Sequence, residues 1–432
     1  MRYEYRHSGI DWIGDVPKHW RKEKIFRAAE LITSGGTPRS GNEDYYEGDI
    51  YWIQSGDLND GYVTDTEKKI TQEGLDNSSA KLFPAGTLLV AMYGATIGKL
   101  GIQTMEAATN QACCGIYPTK RIDLKFLFYF FHAVKDKYIS DSYGGGQPNI
   151  SQSVIKQTYF FVPEKPEQIA IANYLDKACA DIDRVVEIKR KQLEQTRFMF
   201  FAFLDEIFEN KGTNWIEDRI KDIAIINPSL SVPLDIKTLV TVVPMEAVSE
   251  FGEIDNTNTC EYQDVIGGLN YFQNGDVIFA KITPCMENGK GAYVENIKTE
   301  IAFGSTEFFV LRPIGKLIGK YIYYFTRTLR FRQEAEANMK GAAGQQRVVP
   351  RNFYNAKIQF PKTIKEQNVI VEKIENFKSK NFRSVFLLEK QIEVLLNYKK
   401  SLIHEVVTGK KQVYGLSSAS SDQEEKQQMQ TA

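Results

Sequence analysis

The sequence is poor in the residues that build metal and redox sites. Its 432 residues include four histidines, dispersed at positions 7, 19, 132 and 404, and five cysteines with no Cys-x-x-Cys pair. An odd number of cysteines, two of them adjacent at 113 and 114, argues against a disulfide framework, and the spacing fits no zinc motif. We therefore expect reduced thiols and no metal site.

Long apolar runs are also lacking. The longest, residues 126–131 and 198–204, are far shorter than the roughly 18 residues that a membrane span requires. The first eight residues are charged and aromatic, unlike a secretory signal peptide. The sequence thus predicts a soluble, cytoplasmic protein with no membrane partner.

The chain carries no excess of either charge, since its formal net charge is -1. Charge is nevertheless sorted locally, because residues 312–357 contain only Glu334 and Glu336 as acids against ten bases: Arg312, Lys316, Lys320, Arg327, Arg330, Arg332, Lys340, Arg347, Arg351 and Lys357. Such a stretch suits neutralisation of phosphates, and it equally suits a solvated helix face. Both interpretations stay open on charge alone.

Recognisable catalytic motifs are missing as well. There is no Gly-x-Ser-x-Gly elbow, and the phosphate-loop-like segment 94–100 has one residue too few between its glycines and places Leu100 where a Ser or Thr should hold magnesium. Asp65 and Glu67 form a short charged cluster of the kind that holds a metal in nucleases, which leaves an enzyme as a minor alternative. We expect no catalytic residues and no cofactor.

An internal repeat is the most informative feature that is present. Glu167-Gln168 returns as Glu366-Gln367, and the segment 191–194 returns as 390–393, both 199 positions later. Further matches follow in the same order at offsets of 189 to 198, including Trp20 with Trp215 and Pro163 with Pro361. Two copies of one unit predict two equivalent surfaces.

Each copy ends in a pattern typical of a long helix. Pro166 suits a first helical turn, and Thr363 with Glu366 forms a capping box. No Pro or Gly follows for about 40 residues, Gly409 fits a C-terminal cap, and apolar residues recur at heptad spacing as in a coiled-coil seam. The seam positions are Ala172, Leu175, Cys179, Ile182, Val186, Leu193, Val371, Ile374, Val385, Leu388, Ile392, Leu395 and Leu402.

This pattern divides the chain into five parts. Residues 1–165 and 211–361 are Gly-punctuated, β-branched and aromatic, and each predicts a mixed sheet-and-helix globule. Residues 166–210 and 362–410 are the long helices, and residues 411–432 lack apolar content and predict a disordered tail. The expected fold is α+β, with two globular domains and two long helices packed as an antiparallel coiled coil with pseudo-twofold symmetry.

Several segments resemble the specificity subunit of type I restriction-modification systems. They include Ser8-Gly9-Ile10-Asp11-Trp12-Ile13-Gly14 followed by Pro17-x-x-Trp20, and they continue with Gly35-Gly36-Thr37-Pro38, Asn110-Gln111-Ala112-Cys113, Gly146-Gln147-Pro148-Asn149-Ile150-Ser151, Glu167-Gln168-x-x-Ile171-Ala172 and Gly304-Ser305-Thr306-Glu307-Phe308. The resemblance spans residues 1 to about 410. The second copy departs from it, with Gly344-Gln345-Gln346-Arg347-Val348 in place of residues 146–150.

The resemblance implies that each globule is a target recognition domain that reads one half of a split, asymmetric DNA sequence. It implies that the long helices fix the gap between the halves and dock two modification subunits, which carry S-adenosylmethionine and methylate adenine N6. The resemblance further implies that a restriction subunit, which translocates DNA, joins this complex. The chain itself would be non-catalytic.

Two alternatives remain. One is a coiled-coil scaffold or adaptor protein without a role in DNA binding, and the other is a specificity subunit of a related, type IIB-like multisubunit system. For the DNA contacts we select basic and aromatic residues in Gly-flanked loops, namely Arg39, Tyr93 and Lys99 in the first globule and Lys281, Lys290, Lys340 and Arg347 in the second. Each is also compatible with a solvated loop, and Gln147 and Asn149 are candidates for packing the loop against the helix start.

Overall fold

The computed structural model describes residues 3–142, 149–231, 234–342 and 344–413. Residues 414–432, which make up most of the predicted disordered tail, lie outside this part. The chain divides into two compact units. Unit 1 comprises Met1–Ile188 and Gln391–Ala432, and unit 2 comprises Lys189–Lys390. Each long helix therefore contributes one half to each unit.

Unit 1 contains two main sheets that carry its short, β-branched strands. The five-stranded sheet has the spatial order Ala29–Ser34, Cys113–Pro118, Leu88–Ala91, Leu100–Gln103 and Gly61–Val63, and the four-stranded sheet has the order Lys69–Ile70, Tyr46–Ile53, Ala107–Thr109 and Leu82–Phe83. Two strand pairs complete the unit: Tyr5–His7 with Asp15–Pro17, and Arg21–Lys24 with Tyr159–Val162. Its helices outside the long ones are Ile25–Ala28, Gln72–Asp76, Leu124–Ser142 and Gln152–Gln157.

Unit 2 repeats this arrangement. Its sheets have the orders Ala224–Ile226, Phe308–Pro313, Val277–Ala280 and Gly291–Tyr293, and Thr259–Glu261, Leu239–Val243, Ile301–Gly304 and Asn270–Gln273. Two strand pairs accompany them, Trp215–Arg219 with Lys357–Pro361 and Met339–Lys340 with Arg347–Val348. The shorter helices are Ile220–Ile223, Gly319–Thr326, Leu329–Ala337 and Pro350–Asn355. The expected α+β class with two similar sheet-and-helix globules is confirmed.

One strand at the centre of each unit is apolar and buried along its whole length. Leu88–Ala91 in unit 1 and Val277–Ala280 in unit 2 have paired strands along both edges. All four residues of each strand are buried, so both faces of the strand meet side chains rather than water. A continuous apolar run without alternation is what such a strand requires. These two four-residue strands therefore lie in the buried core of their units.

The long helices extend over Lys165–Glu209 and Ile364–Val407. They pair antiparallel within each unit, because partners on the second helix have falling numbers as those on the first rise. Asp183 binds Lys399 at 2.6 Å in unit 1, whereas in unit 2 Arg197 binds Glu389 at 2.7 Å and the rings of Phe203 and Phe377 stack at 4.0 Å. The seam is confirmed, but its burial is uneven. Leu175, Val186, Ile374 and Leu402 are buried, whereas the half-buried seam positions are Leu193, Val385, Leu388, Ile392 and Leu395.

Both helix starts use the glutamate and glutamine that mark the repeat. Thr363 Oγ1 accepts from Glu366 N at 3.3 Å, which is the first bond of the predicted capping box, and the same hydroxyl donates to the Glu366 carboxylate at 2.7 Å. Glu167 is buried instead, and its carboxylate accepts bonds from His19 Nε2 at 2.9 Å and from Trp20 Nε1 at 3.1 Å. The first helix therefore starts beside a buried acid, whereas the second starts on a capping-box threonine.

The glutamine of the repeat performs the same task twice. Gln168 accepts from Asp123 N at 2.7 Å, and its amide donates to Arg121 O and Pro163 O. Gln367 accepts from Ile318 N at 3.1 Å and donates to Lys316 O and Pro361 O. Each glutamine is fully buried and satisfies three backbone groups that would otherwise be costly to bury. This motif holds the helix to its globule.

The second helix ends as its glycine predicts. Gly409 adopts φ +76° and donates its N–H to Val406 O at 3.1 Å. A Cβ added there would lie 2.4 Å from Pro17 Cδ, so the close approach also requires glycine. Among the described residues, no helix has the length and apolar character needed to cross a membrane.

A half-buried histidine in unit 1, His132, makes the free energy of unfolding depend on pH. His132 packs against the ring of Phe128 at 4.6 Å, and burial lowers the pKa of His132 to about 4, an effect that Lys135 and Lys399 reinforce and Asp60 opposes. The unfolded chain takes up this proton below about pH 6.5, whereas the folded unit resists it until about pH 4. The contribution of neutral His132 to the stability of the folded unit is thus complete above about pH 6.5 and is lost as the pH falls towards 4.

His132 should lower the free energy of unfolding of the wild type by about 2 kcal/mol between pH 7 and pH 5. We expect this part of the pH dependence to be absent from His132→Gln. Urea unfolding at the two pH values measures this difference in wild type and variant. Equal pH dependence in wild type and His132→Gln would contradict the assignment.

Candidate functional site

A backbone junction follows the buried central strand of unit 1. After Ala91 the chain reaches Met92, which donates its N–H to Ala112 O at 2.8 Å and accepts from Ile150 N at 2.7 Å. Three segments that are distant in sequence meet at this point. The residues that follow each segment therefore project from one place on the unit.

Unit 2 builds the same junction from different residues. Lys281 follows the strand end at Ala280, donates to Glu307 O at 2.9 Å and accepts from Val348 N at 2.8 Å. The three hydrogen-bonded positions thus correspond one to one: Met92 with Lys281, Ala112 with Glu307, and residue 150 with residue 348. The backbone is repeated while the side chains change.

The unit 1 loop cluster comprises Thr37, Tyr93, Gln111 and Asn149. Tyr93 and Asn149 form an antiparallel bridge, the hydroxyl of Tyr93 lies beside Gln111, and burial raises the pKa of Tyr93. Thr37 donates its hydroxyl to Gln111 Oε1, which ties the Gly-rich loop to the cluster. Arg39 lies exposed two residues further along that loop. Of the predicted residues, Tyr93 belongs to this cluster, and Arg39 lies two positions along the chain from its member Thr37.

The unit 2 loop cluster comprises Lys281, Glu307, Lys340 and Arg347. Arg347 forms an isolated antiparallel β-bridge with Ile282, and it lies opposite Lys340 in a two-stranded antiparallel ladder. Its guanidinium donates hydrogen bonds to the carboxylate of Glu307, from Nε to Oε1 at 3.0 Å and to Oε2 at 3.1 Å, and from Nη2 to Oε1 at 2.7 Å. The hydrogen bond from Arg347 holds the pKa of Glu307 below its ordinary value, and Lys281 adds to this. Three of the four residues predicted in this unit therefore share one site.

Lys99 and Lys290 occupy a second pair of corresponding positions. Each follows a glycine in the left-handed region, Gly98 with φ +73° and Gly289 with φ +71°, and the carbonyl of each lysine accepts from the last residue of the buried strand at 2.9 Å. Lys290 Nζ lies 3.4 Å from Met245 O, so its ammonium group is partly engaged. Both lysines are half-buried and lie at the end of the loop that follows the buried strand.

The basic stretch 312–357 is largely neutralised inside unit 2. Five of its members bind carboxylates, and Arg327 and Arg332 place their guanidinium groups over the ring of Phe201. The ion pairs are Arg312–Asp276, Lys316–Asp218, Lys320–Glu295, Arg347–Glu307 and Lys357–Glu217. The part of the chain that the structure describes gives Arg330, Lys340 and Arg351 no ion pair, and all three are exposed. Structural pairing thus explains more of the stretch than either interpretation from charge.

Sequence reasoning missed Glu307, Gln111 and Thr37 as members of the clusters. All three lie in segments that carry the family resemblance, which was a usable signal, but their partners come from 40 to 74 residues away. Asn149 is exposed and bridges Tyr93 rather than being buried against a helix start. Gln147 lies outside the described residues.

The acidic pair that the nuclease alternative requires lies in a surface turn. Asp65 and Glu67 are exposed, and Asp65 Oδ1 accepts from Thr66 N at 2.9 Å. Within the described ranges, no three His, Cys, Asp or Glu side chains come together as a metal-binding group.

Known proteins share both the sequence pattern and the fold. The chain is 31% identical over 218 residues to the EcoAI specificity subunit of Escherichia coli, which is 49% of this chain and 36% of that protein. It is 31% identical over 234 residues to the MjaIX specificity subunit of Methanocaldococcus jannaschii, covering 52% of each. The matches thus span about a third to a half of the length of these curated relatives.

Solved structures extend the likeness to nearly the whole chain. The HsdS subunit from Thermoanaerobacter tengcongensis superposes with a TM-score of 0.54 at 14% identity, covering 91% of this chain and 98% of that one. A chain from work on "complex assembly and conformational transition of the type I R-M system" superposes with a TM-score of 0.70 at 13% identity over the same shares. At such identities the likeness shows the fold.

A family model settles the affiliation, because it matches the chain twice. The model describes the type I restriction modification DNA specificity domain, and it matches residues 17–196 and again residues 202–393. The two matches fall on the two halves of the repeat that the sequence predicts. The chain therefore belongs to the family of type I restriction modification DNA specificity domains.

Proposed function

We propose that this chain is the DNA-specificity subunit of a type I restriction-modification complex and performs no chemistry itself. One observation carries the proposal: two units of a DNA specificity family present different side chains on one repeated backbone junction. A repeated frame with divergent side chains suits the reading of two different half-sites of one asymmetric DNA sequence. The same frame with matching side chains would suit a palindrome.

The domain assignment belongs to this proposal. Residues 1–165 and 211–361 act as target recognition domains, residues 166–210 and 362–410 act as spacer helices, and residues 411–432 form a tail. The DNA contacts come from Gly-flanked loops of both domains, and the proposed residues are Arg39, Tyr93, Lys99, Lys281, Lys290, Lys340 and Arg347.

The proposed partners are double-stranded DNA, two methyltransferase subunits that methylate adenine N6 with S-adenosylmethionine, and restriction-translocase subunits in the cytoplasm. Support for docking comes from apolar side chains that stay exposed on the long helices: Val185, Ile188, Val394 and Tyr398 in unit 1, and Phe198, Met199, Phe386 and Leu387 in unit 2. Exposed apolar patches on a folded unit mark interaction surfaces. Methyltransferase subunits are the occupants that the family affiliation suggests.

The decisive experiment compares methylation with and without the chain. The methyltransferase subunit is purified alone and with this chain, and adenine methylation of genomic DNA is mapped by single-molecule sequencing. We expect methylation confined to one bipartite motif when the chain is present and none at that motif in its absence. Equal methylation of the motif by the methyltransferase alone would overturn the proposal.

DNA binding by the assembled complex separates this proposal from its rivals. A specificity subunit predicts an affinity that falls steeply as salt rises, because phosphate contacts release counterions, whereas a scaffold or adaptor protein predicts no such dependence. A specificity subunit of a type IIB-like system would give the same binding but cleave DNA on both sides of its motif. Full activity of a Glu67→Ala complex would remove the nuclease alternative.

A further inference from the structure

We infer that Arg347, held in orientation by Glu307, recognises a guanine in the half-site that unit 2 reads. The inference rests on the proposed function and deepens it, since it names one base and the two residues that select it. It depends on three features of the unit 2 loop cluster: the geometry of the ion pair, its charge, and the residues at the corresponding positions of unit 1.

The geometry leaves the correct edge of the guanidinium available. Glu307 engages Nε and Nη2, which is the side of the arginine fork. The Nη1 group and the second hydrogen of Nη2 point away from Glu307 and form the end of the fork. This end matches the O6 and N7 acceptors of guanine in the major groove, the commonest specific contact of arginine with DNA.

Exposure and rigidity favour such a contact. The side chain of Arg347 is 49% exposed, whereas that of Glu307 is 25% exposed. Glu307 is itself fixed, because its N–H donates to Ser305 Oγ at 3.2 Å and its carbonyl accepts from Lys281 N. The arginine is thus anchored at its base and presented at its tip, which lowers the conformational entropy lost on binding.

The charge of the pair favours a base over a phosphate. A carboxylate in contact with Arg347 cancels its charge locally and repels an approaching phosphate. The edge of a guanine is uncharged and offers two acceptors, so it gains from the oriented donors without meeting that repulsion. Lys340 is exposed and lies opposite Arg347 in the two-stranded ladder, so it is the residue of this cluster that suits contact with a DNA phosphate.

Unit 1 provides the natural comparison. Its junction places Asn149 where unit 2 has Arg347 and Ala112 where unit 2 has Glu307, so the anchored arginine exists in one unit only. Asparagine pairs with adenine rather than guanine in the major groove. The pair Glu307 and Arg347 therefore selects guanine at one position of the half-site that unit 2 reads. It also makes this half-site differ from the one that unit 1 reads.

The test uses the complete complex with its methyltransferase subunits and measures adenine methylation on a DNA library randomised at each position of the motif in turn. We expect Arg347→Asn to reduce the preference for guanine at one position of one half-site by about 5- to 150-fold and to leave the other half-site unchanged. Glu307→Ala should weaken the same preference and raise nonspecific binding at low salt, because the arginine gains net charge and freedom. Arg219→Asn is the matched control, since Arg219 forms a similar side-on pair with Asp222 at 48% exposure, and it should change nothing.

Three outcomes would overturn the inference while leaving the proposed function intact. In the first, the Arg347→Asn complex keeps every base preference of the wild type. In the second, it loses preference only at a position where the wild type selects adenine or thymine. In the third, methylation weakens equally on all sequences and the salt dependence of binding falls by about one counterion, as for a phosphate contact. A wild-type complex without any bipartite preference would overturn the proposed function as well.

Discussion

Trp20→Ala should lower the free energy of unfolding of unit 1 by about 3–5 kcal/mol. The Trp20 side chain is 1% exposed, its ring packs edge-on against Phe126 at 6.3 Å, and its Nε1 donates to buried Glu167 at 3.1 Å. Truncation thus creates a cavity and removes one hydrogen bond from a buried carboxylate, and both effects destabilise the fold. Urea unfolding with amide hydrogen exchange in each unit measures the loss and shows where it occurs.

The repeat offers a matched control for this prediction. Trp215 occupies the corresponding place in unit 2, but it is only half-buried and meets Tyr321 at 6.4 Å. Trp215→Ala should therefore cost less than about 2 kcal/mol, with faster exchange confined to unit 2. Trp20→Phe should fall between the two, since it keeps an aromatic ring but removes the N–H donor and part of the buried indole volume. Equal losses for the two alanine variants would show that burial does not govern their contributions.

Local signals in the sequence predicted the elements that local chemistry decides. The long helices begin and end where Pro166, the Thr363–Glu366 box and Gly409 place their ends, because capping and φ preferences act over a few residues. The Glu-Gln motif was recognised as a repeat, but its task was not predicted. Its partners at 121–123 and 316–318 are brought to it only by folding.

The candidate site depended on contacts that sequence spacing does not encode. Arg347 was selected from its loop, while Glu307 was not, because the pair forms only when two β-segments 40 residues apart reach the same junction. The basic stretch was open to two interpretations for the same reason. Most of its neutralising acids, such as Asp218, Asp276 and Glu295, lie before residue 312 and meet it across sheets and loops.

Asp276→Ala should destabilise unit 2 by about 3–5 kcal/mol, because it leaves a largely buried arginine without its partner. The Asp276 and Arg312 side chains are 2% and 23% exposed. Asp276 accepts Nε of Arg312 at 2.8 Å, Nη2 at 2.7 Å and the N–H of Gln273 at 2.9 Å. The hydrogen bonds from Arg312 to Asp276 raise the pKa of Arg312 above its ordinary value. Urea unfolding monitored by hydrogen exchange in unit 2 measures the loss.

Unit 1 shows that the frame does not require this ion pair. The positions that correspond to Asp276 and Arg312 hold Thr87, which is buried, and Tyr117, which is half-buried. The double variant Asp276→Thr with Arg312→Tyr should therefore be more stable than Asp276→Thr alone, because it removes both charges and leaves neither one unpaired. A coupling energy of at least about 1 kcal/mol in the double-mutant cycle would follow. Additive losses would instead mean that each residue stabilises unit 2 through its own packing, and the ion pair would then be a consequence of the register rather than a constraint on it.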